Sequence, residues 1–393
     1  MNIILADVNR NQLLPFTFMR PVAGIRCGIL TVTEKWELLS GEKCSFLTED
    51  YLSLKYPLKK EPENIVVNGS VLVNRELYLE VIGLRKGQAL FYGDVCIAVN
   101  VSLEDINNYS SFEHLSFVSK TETAFTANSI QNPWDIFKLN DIAIKSDFDL
   151  LTKGRTSQPL SDSNKAINPQ QIFLEKGAVV ECAILNASAG PIYIGKDAEV
   201  MEGCTIRGPF ALGEHATLKM SAKIYGATTI GPHCKVGGEV SNSVLFGYSN
   251  KAHDGFLGNS VLAEWCNLGA DTNNSNLKNN YGVVKMYSYL AKADVSTGLQ
   301  FCGLMMGDHS KAAINTMFNT GTMVGVSANV FGGGFPPKFI PSFAWGGFDA
   351  TVFQLDKALE LAAQVYKRRD LEFDKTEADI FSHVNIMELR LPS

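Results

Sequence analysis

A six-residue repeat constrains the fold of this chain more than any other feature. A helix would repeat every 3.6 residues and a half-buried strand every two, so neither explains a period of six. Three six-residue sides instead make one turn of a triangular prism, whose walls are short strands stacked ~4.8 Å apart. The aliphatic residues of the unbroken run are Ile194, Val200, Ile206, Leu212, Leu218, Ile224, Ile230 and Val236.

The repeat extends in both directions with changes of phase. It enters weakly at Ile172, Ala178 and Ile184, continues at Val244, Asn250, Phe256, Leu262 and Leu268, and resumes at Met306, Ala312, Phe318, Val324 and Val330. Counting these hexads predicts about seven coils, a prism of roughly 30 Å at the strand spacing. We assign residues 171–347 to this parallel β-helix.

The remaining segments differ in pattern. Apolar strand-like runs alternate with polar or helical stretches over residues 1–153, which predicts an α/β layer domain. Residues 154–170 are rich in Ser, Pro and Asn and are interpreted as a linker. Residues 348–393 are expected to form a C-terminal helix and tail, with a helix capped by Asp349, running to about Arg369 and packing on the prism or on a neighbouring subunit.

Composition excludes several classes of function. The 393 residues are 46% hydrophobic and carry a net charge of −6 without a basic block, so no nucleic-acid partner is expected. No apolar run reaches the ~18 residues that span a bilayer, and the N-terminus lacks a signal-peptide pattern, so we expect no membrane partner and a cytoplasmic protein. The eight cysteines form no C-x-x-C pair, which favours buried thiols over a zinc or redox motif.

The repeat resembles the hexapeptide repeat of left-handed parallel β-helix acyltransferases, and the left hand is implied by that resemblance alone. Around residues 250–276 the chain is similar to the bifunctional N-acetylglucosamine-1-phosphate uridyltransferase/glucosamine-1-phosphate acetyltransferase family. It aligns without a gap on K-x-x-H-x-x-[YF]-[LIV]-G-D and N-[LIV]-G-A-G-T. The resemblance implies acetyl-CoA as the acyl donor and a homotrimer with active sites between adjacent prisms.

The same alignment implies roles for individual residues. His253 falls on the family's catalytic base, which suits a histidine because deprotonating an amine needs a pKa near the working pH. Ala270 falls beside acetyl-CoA, and Lys223 or Lys251 would supply a phosphate contact that the family makes with a lysine at the position of Ser241. The aligned substrate-contacting residues are Phe256, Asn267 and Asn276.

The N-terminal part resembles sugar-phosphate nucleotidyltransferases, which implies a Rossmann-like fold. Matches to the family's opening L-A-A-G-x-G-T-R-L-x-P-L-T are Leu5, Ala6, Leu13, Pro15 and Thr17. Arg20 stands near the family's basic residue, and Arg20 and Arg26 are candidate nucleotide contacts or ordinary structural arginines. The two glycines that let the loop approach a triphosphate are replaced by Val8 and Arg10.

A second match concerns the metal site of those enzymes. Asn68 and Gly69 align with the start of the family's N-G-D segment and are candidate nucleotide contacts. Ser70 replaces the Asp that holds Mg²⁺, and a neutral hydroxyl is a poor substitute for a carboxylate. Asn140 resembles the other metal ligand, so Mg²⁺ is expected only if nucleotidyl transfer is active.

Nearly the whole chain resembles a divergent, Bacteroidetes-type branch of the bifunctional family, through residues 20–36, 298–311 and 332–347. Three functions follow. The first is acetyl-CoA-dependent N-acetylation of an amino-sugar 1-phosphate, with an N-terminal domain that binds nucleotide or sugar phosphate. The second is nucleotidyl transfer from UTP or dTTP to a sugar 1-phosphate, and the third is a non-catalytic ligand-binding scaffold.

Overall fold

The chain folds into two compact units. The computed structural model describes residues 2–107 and 111–389. Unit 1 comprises the described parts of residues 1–13, 17–25 and 30–132, and unit 2 comprises residues 14–16, residues 26–29 and the described chain from Pro133 onward.

Unit 1 is built on a mixed sheet in the order β2-β1-β3-β5-β4-β6. Strand β1 lies parallel to β2 and β3, and β5 lies antiparallel to β3 and β4. The strands are β1 (Asn2–Ala6), β2 (Ser45–Leu47), β3 (Glu63–Asn68), β4 (Gln88–Tyr92), β5 (Val95–Ser102) and β6 (Ser119–Glu122). The apolar runs at 2–6, 65–67, 89–92 and 95–99 are therefore confirmed as strands, whereas Val71–Val73 contributes one isolated bridge, from Val71 to Ser129.

Helices α1 (Val32–Ser40), α2 (Arg75–Ile82) and α3 (Leu103–Asn107) complete the regular α-helical structure of unit 1 within residues 2–107. Helix α1 begins at a capping box, in which the Thr31 hydroxyl accepts from the Glu34 amide and the Glu34 carboxylate accepts from the Thr31 amide. Helix α2 begins where the Asn74 side chain accepts from the Leu77 amide.

Unit 2 is a prism with three walls. The first face contains Lys165–Ile167, Ile184–Asn186, Thr205–Arg207, Lys223–Tyr225, Glu239–Ser241 and Phe256–Gly258. The second contains Ile172–Leu174, Ile192–Ile194, Phe210–Leu212, Thr228–Ile230, Val244–Leu245, Val261–Leu262, Leu304–Met306, Thr322–Val324 and Phe339–Ile340. The third contains Val179–Val180, Glu199–Val200, Thr217–Leu218, Lys235–Val236, Asn250–Lys251, Asn267–Leu268, Lys311–Ala312, Asn329–Val330, Ala344–Trp345 and Thr351–Val352.

Neighbouring strands on each face pair in parallel, except that Thr351–Val352 closes the third face antiparallel to Ala344–Trp345. The predicted fold class, an α/β Rossmann-like domain followed by a parallel β-helix with a C-terminal helix, is confirmed, and the left hand stays a prediction from the resemblance. One coil carries a long insertion, which contains the antiparallel pair Lys285–Ser288 and Ala293–Ser296. Beside it, Asn273–Asn274 pairs with Met317–Phe318.

The sequence underestimated the height of the prism. Over the described residues the two longer faces hold nine and ten strands, where the hexads predicted about seven coils. The predicted frame was also displaced in one coil, because Leu245 and Leu257 join the core in place of Val244 and Phe256. Periodicity does not decide between neighbours such as Val244 and Leu245, since both are apolar and both are buried.

The predicted boundaries around residues 153–171 differ from the structure. Helices α4 (Asp135–Lys138) and α5 (Asn140–Thr152) belong to unit 2, with the β-helix. The segment interpreted as a linker contains the first strand of the first face, Lys165–Ile167, which pairs with Ile184–Asn186. Polar side chains of this segment form hydrogen bonds with backbone groups at the open end of the prism. The Gln158 side chain, for example, donates to the Ala178 carbonyl.

Two helices follow the prism, α6 (Leu355–Lys367) and α7 (Lys375–Leu389). The predicted helix start near Asp349 is wrong, because Thr351–Val352 extends the third face and α6 begins after Gln354. Helix α6 packs on its own prism, as one of the two alternatives predicted, and the Tyr366 ring stacks on Trp265 at 4.1 Å between centroids. Helix α7 was not predicted.

Candidate functional site

His253 lies at a corner of unit 2 that borders an open groove of about 620 Å³. The corner is formed by residues 252–255, between strand Asn250–Lys251 of the third face and strand Phe256–Gly258 of the first. Gly255 has φ +117°, and a Cβ there would lie 2.3 Å from the Thr272 carbonyl oxygen of the next coil, so this position requires glycine. The groove is lined by Met201, Lys219, Met220, Gly237, Gly238, Ala252, His253, Asp254, Ala270 and Asp271.

The imidazole of His253 is available to a ligand. The side chain is exposed, and among the described residues it makes no hydrogen bond. Asp254 and Asp271 are exposed on the same groove, and the Asp271 amide donates to the Asp254 carbonyl, which couples the two successive corners. Ala270, the residue aligned beside acetyl-CoA, lines this groove together with His253. The sequence did not single out Asp271 as a groove residue.

Phe256 and Asn276 come together on the first face, over Gly258. An ideal Cβ on Gly258 would lie 2.5 Å from the Phe256 ring and 2.7 Å from the Asn276 amide nitrogen, so both side chains cover this glycine. Asn276 also donates to the Asn259 side chain at 2.8 Å. Two of the predicted substrate contacts are therefore neighbours, and Phe256 follows the corner that carries His253, but neither residue lines the groove.

Two buried or half-buried asparagines that the sequence did not assign support this surface. The Asn273 side chain accepts from the Phe256 amide, and the Asn274 side chain both accepts from the Gly258 amide and donates to its carbonyl. These hydrogen bonds take the place of the backbone hydrogen bonds that a regular neighbouring strand would provide. The signal for them was the pair of adjacent asparagines in the non-repeating stretch after Leu268.

Asn267 and Lys223 lie elsewhere on the prism. Asn267 is exposed on the third face, in register with Asn250. Lys223 is exposed on the first face, two strands from Phe256 in register through Glu239, which corresponds to about 10 Å. It lines a different groove of about 650 Å³, and neither residue lines the groove that contains His253.

The structure is at odds with a phosphate contact by Lys251. Its strand places it in register with Val236, at an inward position, and the side chain is 2% exposed. The ammonium donates to the His253 carbonyl oxygen at 2.8 Å. Burial lowers the pKa of this lysine from 10.5 to about 8, while Asp254 and Asp271 raise it by a smaller amount. An ammonium inside the prism does not reach a phosphate in the groove.

The second candidate site lies in unit 1, at the carboxyl ends of the paired strands β1 and β3. A pocket of about 350 Å³ opens here, where ligands commonly bind in open α/β sheets. Gly69 crosses so close to β1 that a Cβ would lie 2.7 Å from the Ala6 carbonyl oxygen. The lining residues are Val8, Asn9, Asn68, Ser70, Phe91, Asp94, Val95, Cys96, Val99, Phe112, Glu113, Leu115, Phe117, Ser129 and Gln131.

The polar residues of this strand end bond mainly to one another. The Asn68 side chain accepts from the Ser70 amide and the Ser70 hydroxyl, and donates to the Cys96 carbonyl. Ser70 is 1% exposed. In the part of the chain that the structure describes, no group of three or more His, Cys, Asp or Glu side chains is placed to hold a metal ion. The residues present therefore do not fit Mg²⁺ held as in the resembled enzymes.

The loop after β1 lacks the two glycines of the resembled family, and contacts of Arg10 hold its backbone in place. Its guanidinium pairs with Asp7 at 2.8 Å and donates to the carbonyls of Thr17 and Arg20. Both charged side chains are less than a tenth exposed. Arg20 itself is buried. The positions that would cradle a phosphate are thus occupied by an internal ion pair and its hydrogen bonds.

Arg26 and Asn140 have structural contacts within unit 2. The Arg26 guanidinium donates to the Phe246 and Ile29 carbonyls. Asn140 is fully buried at the start of α5, where its side chain accepts from the Gly28 amide and the Thr229 hydroxyl and donates to the Ala227 carbonyl. These contacts account for both residues without a nucleotide or a metal, and they favour the structural alternative for Arg26.

Comparison with known proteins finds similar proteins for this chain. A family model described as "Sugar nucleotidyl transferase" matches residues 2–156. The "Bifunctional protein GlmU" of Methanocaldococcus jannaschii is 26% identical over 248 residues, which cover 63% of this chain and 49% of that protein. The "Bifunctional sugar-1-phosphate nucleotidylyltransferase/acetyltransferase" of Sulfurisphaera tokodaii is 27% identical over 146 residues, which cover 37% of this chain and 36% of that protein.

The chain is thus similar to sugar nucleotidyl transferases at its N-terminal end, and to the Methanocaldococcus jannaschii relative over a longer stretch. It spans about half the length, or less, of these curated relatives. Among solved structures, the "polySia specific acetyltransferase NeuO" matches 49% of this chain and 86% of its own at 13% identity. The TM-score of this match is 0.26. No helix within residues 2–107 and 111–389 is long and apolar enough to cross a membrane.

Proposed function

We propose that this protein is a transferase of nucleotide-sugar biosynthesis that acetylates the amine of an amino-sugar 1-phosphate with acetyl-CoA. The observation that carries the proposal is His253, exposed at a prism corner on a groove that also contains Ala270. The resemblance at residues 250–276 and the bifunctional relatives support the same assignment.

In this reaction the sugar amine attacks the thioester carbonyl, a C–N bond forms, the C–S bond breaks and CoA leaves as a thiolate, which takes up the proton that the base has removed from the amine. His253 accepts the proton that the amine loses, because a neutral imidazole at this exposed corner can act as a general base. Phe256 and Asn276, which meet over Gly258 beside the corner, are the proposed sugar contacts. Asn267, on the third face, would contact the sugar only from another side of the prism.

For unit 1 we propose binding of a nucleotide or sugar phosphate without nucleotidyl transfer. The pocket lies where β1 and β3 end, and its lining combines apolar side chains with Asn68 and Gln131, which suits a base or sugar ring. The alternative, transfer from UTP or dTTP, is disfavoured because Ser70 and the loop around Arg10 are held by internal hydrogen bonds. The non-catalytic scaffold would have both sites bind ligands without turnover.

We further propose that the chain belongs to the Bacteroidetes-type branch, acts in the cytoplasm and assembles as a homotrimer. The first assignment is supported by residues 20–36, 298–311 and 332–347, and the trimer by resemblance to hexapeptide-repeat acyltransferases. Size-exclusion chromatography with light scattering tests the trimer, since a monomer in dilute solution would contradict it.

The test of function uses the purified full-length protein in two assays. Acetyl-CoA with glucosamine 1-phosphate should release thiol, and UTP or dTTP with N-acetylglucosamine 1-phosphate and Mg²⁺ should release no pyrophosphate. Pyrophosphate release without thiol release would favour the nucleotidyltransferase. Absence of both products, with a ligand-induced rise in melting temperature, would favour the scaffold.

A further inference from the structure

Lys251 occupies a position that is otherwise aliphatic. The inward column of the third face consists of Val180, Val200, Leu218, Val236, Lys251, Leu268, Ala312 and Val330. The other seven belong to the hydrophobic core of the prism. Lys251 is 2% exposed, as buried as they are. A leucine or methionine would suit the hexad pattern here, so the charged residue departs from the rule that builds this face.

This departure carries a free-energy penalty. Moving an ammonium out of water is unfavourable unless partners replace its hydration, and an apolar residue of similar volume is often as stabilising or more so. The hydrogen bond that replaces water is the one from the Lys251 ammonium to the His253 carbonyl. Burial lowers the pKa of Lys251, and the carboxylates of Asp254 and Asp271 raise it by less. Stability alone therefore does not account for the lysine.

The contact that Lys251 makes is directed at the candidate base. The bonded carbonyl belongs to His253, in the middle of the corner. The carbonyls of Asp254 and Gly255 accept backbone amides of neighbouring coils, whereas the carbonyl of His253 accepts the Lys251 ammonium. From the inside of the prism the ammonium holds the backbone of His253, while the imidazole is exposed on the outside. An aliphatic side chain at position 251 would match the rest of the column but would leave that carbonyl without this donor.

We infer that Lys251 is a positioning residue, which fixes the corner backbone from the core so that the His253 imidazole is held toward the groove. The inference rests on the proposed acetyl transfer, and it replaces a phosphate contact with a contact made through His253. Because a misplacement of about 1 Å can lower a rate by about a hundredfold, loss of this bond should reduce turnover without removing the base.

The test compares Lys251→Met with Leu218→Met, a volume-conserving change in the same column two coils away. In Lys251→Met we expect an equal or higher Tm and faster hydrogen exchange at the corner, measured at the Glu239 and Asp271 amides, which donate to the corner carbonyls of Gly255 and Asp254. We also expect a kcat of thiol release lower by about 10- to 100-fold, with little change in the KM for acetyl-CoA. In Leu218→Met, exchange at the corner and kcat should match the wild type.

The outcomes separate this inference from the function on which it rests. Unchanged corner exchange in Lys251→Met would overturn the positioning role whether or not the enzyme is active. Faster exchange with unchanged kcat would also overturn it, since the corner would then be mobile without consequence for the base. A wild-type protein that releases no thiol would overturn the acetyl transfer, while the exchange measurement would still decide whether Lys251 holds the corner.

Discussion

The strand-end pocket of unit 1 and the corner groove of unit 2 use their polar groups in opposite ways. In unit 1, Arg10 pairs with Asp7, and Ser70 bonds to Asn68, so these groups stabilise the fold itself. In unit 2, His253 is exposed on its groove and makes no hydrogen bond among the described residues. The charged group that is buried near this corner is the Lys251 ammonium, which donates to the His253 carbonyl from inside the prism.

This difference favours catalytic chemistry at the groove of unit 2 over catalytic chemistry at the pocket of unit 1. Catalytic groups must be able to bind or exchange protons with a substrate, and groups already satisfied inside the protein are poorly placed to do so. Both regions resemble enzyme families in sequence, but only the groove keeps exposed the residue that aligns with its family's catalytic base, His253. The pocket of unit 1 keeps the shape of a binding site and lacks the carboxylate at position 70.

The largest expected effect is at the groove. His253→Ala should lower the kcat of thiol release by about 10²- to 10⁴-fold, because it removes the general base. The control is His215→Asn, at another exposed corner where φ is +54° and asparagine is tolerated. Steady-state kinetics measure both, and a His253→Ala enzyme as fast as the wild type would remove the acyl-transfer assignment.

The second effect concerns the loop of unit 1. Arg10→Gly restores one family glycine but leaves Asp7 buried without its ion-pair partner, so we expect a loss of about 3–5 kcal/mol in the free energy of unfolding. Urea denaturation measures this, and Lys43→Ala, which removes an exposed ion pair with Glu37, should change little. A variant that gained pyrophosphate release at unchanged stability would contradict the structural role of Arg10.

The third prediction uses the titration of Lys251. Its pKa is about 8 in the folded protein and 10.5 as the ordinary value, so between these pH values the unfolded chain holds the proton more often. Stability therefore rises with pH through this window in the wild type relative to Lys251→Met, by up to about 3 kcal/mol at ~1.36 kcal/mol per pKa unit. Urea denaturation of both proteins at pH 7 and pH 10.5 measures the difference. A difference independent of pH would show that the lysine is not buried.

The smallest effect is at Ser70. Ser70→Ala removes one hydrogen bond to Asn68, whose side-chain oxygen still accepts from the residue-70 amide, so we expect a loss of about 0.5–1.5 kcal/mol. Any rise in Tm caused by UTP should be unchanged, and Mg²⁺ should not alter it. A shift that depends on Mg²⁺ and on the Ser70 hydroxyl would instead assign this residue to a metal.

Much of the fold could be predicted because its signals are local and repeated. The hexads from Ile194 to Val236 specify inward and outward positions one coil at a time, and the strands of unit 1 follow from short apolar runs. The ends of the prism were harder to predict, because the strand Lys165–Ile167 carries little of the pattern and the segment around it is polar enough to resemble a linker.

The site was predicted in part. The alignment found the residues around the corner. The structure brings His253 and Ala270 to one groove, and it brings Phe256 to Asn276 over Gly258, outside the lining of that groove. It does not bring Lys223 or Asn267 to that groove, and it places Lys251 in the core. Asp271, Asn273 and Asn274 were missed as site residues, because their roles depend on the register between coils and not on their own spacing.

By itself the sequence determined that part of the chain would wind into a prism, since a period of six specifies which side chains are buried regardless of their distant neighbours. The tertiary structure decided which polar groups stay available, since hydrogen bonds such as those of Arg10 and Lys251 join atoms that sequence spacing does not place together. Burial then separates residues that look alike in the sequence, as it does for Lys223 on the surface and Lys251 within the core.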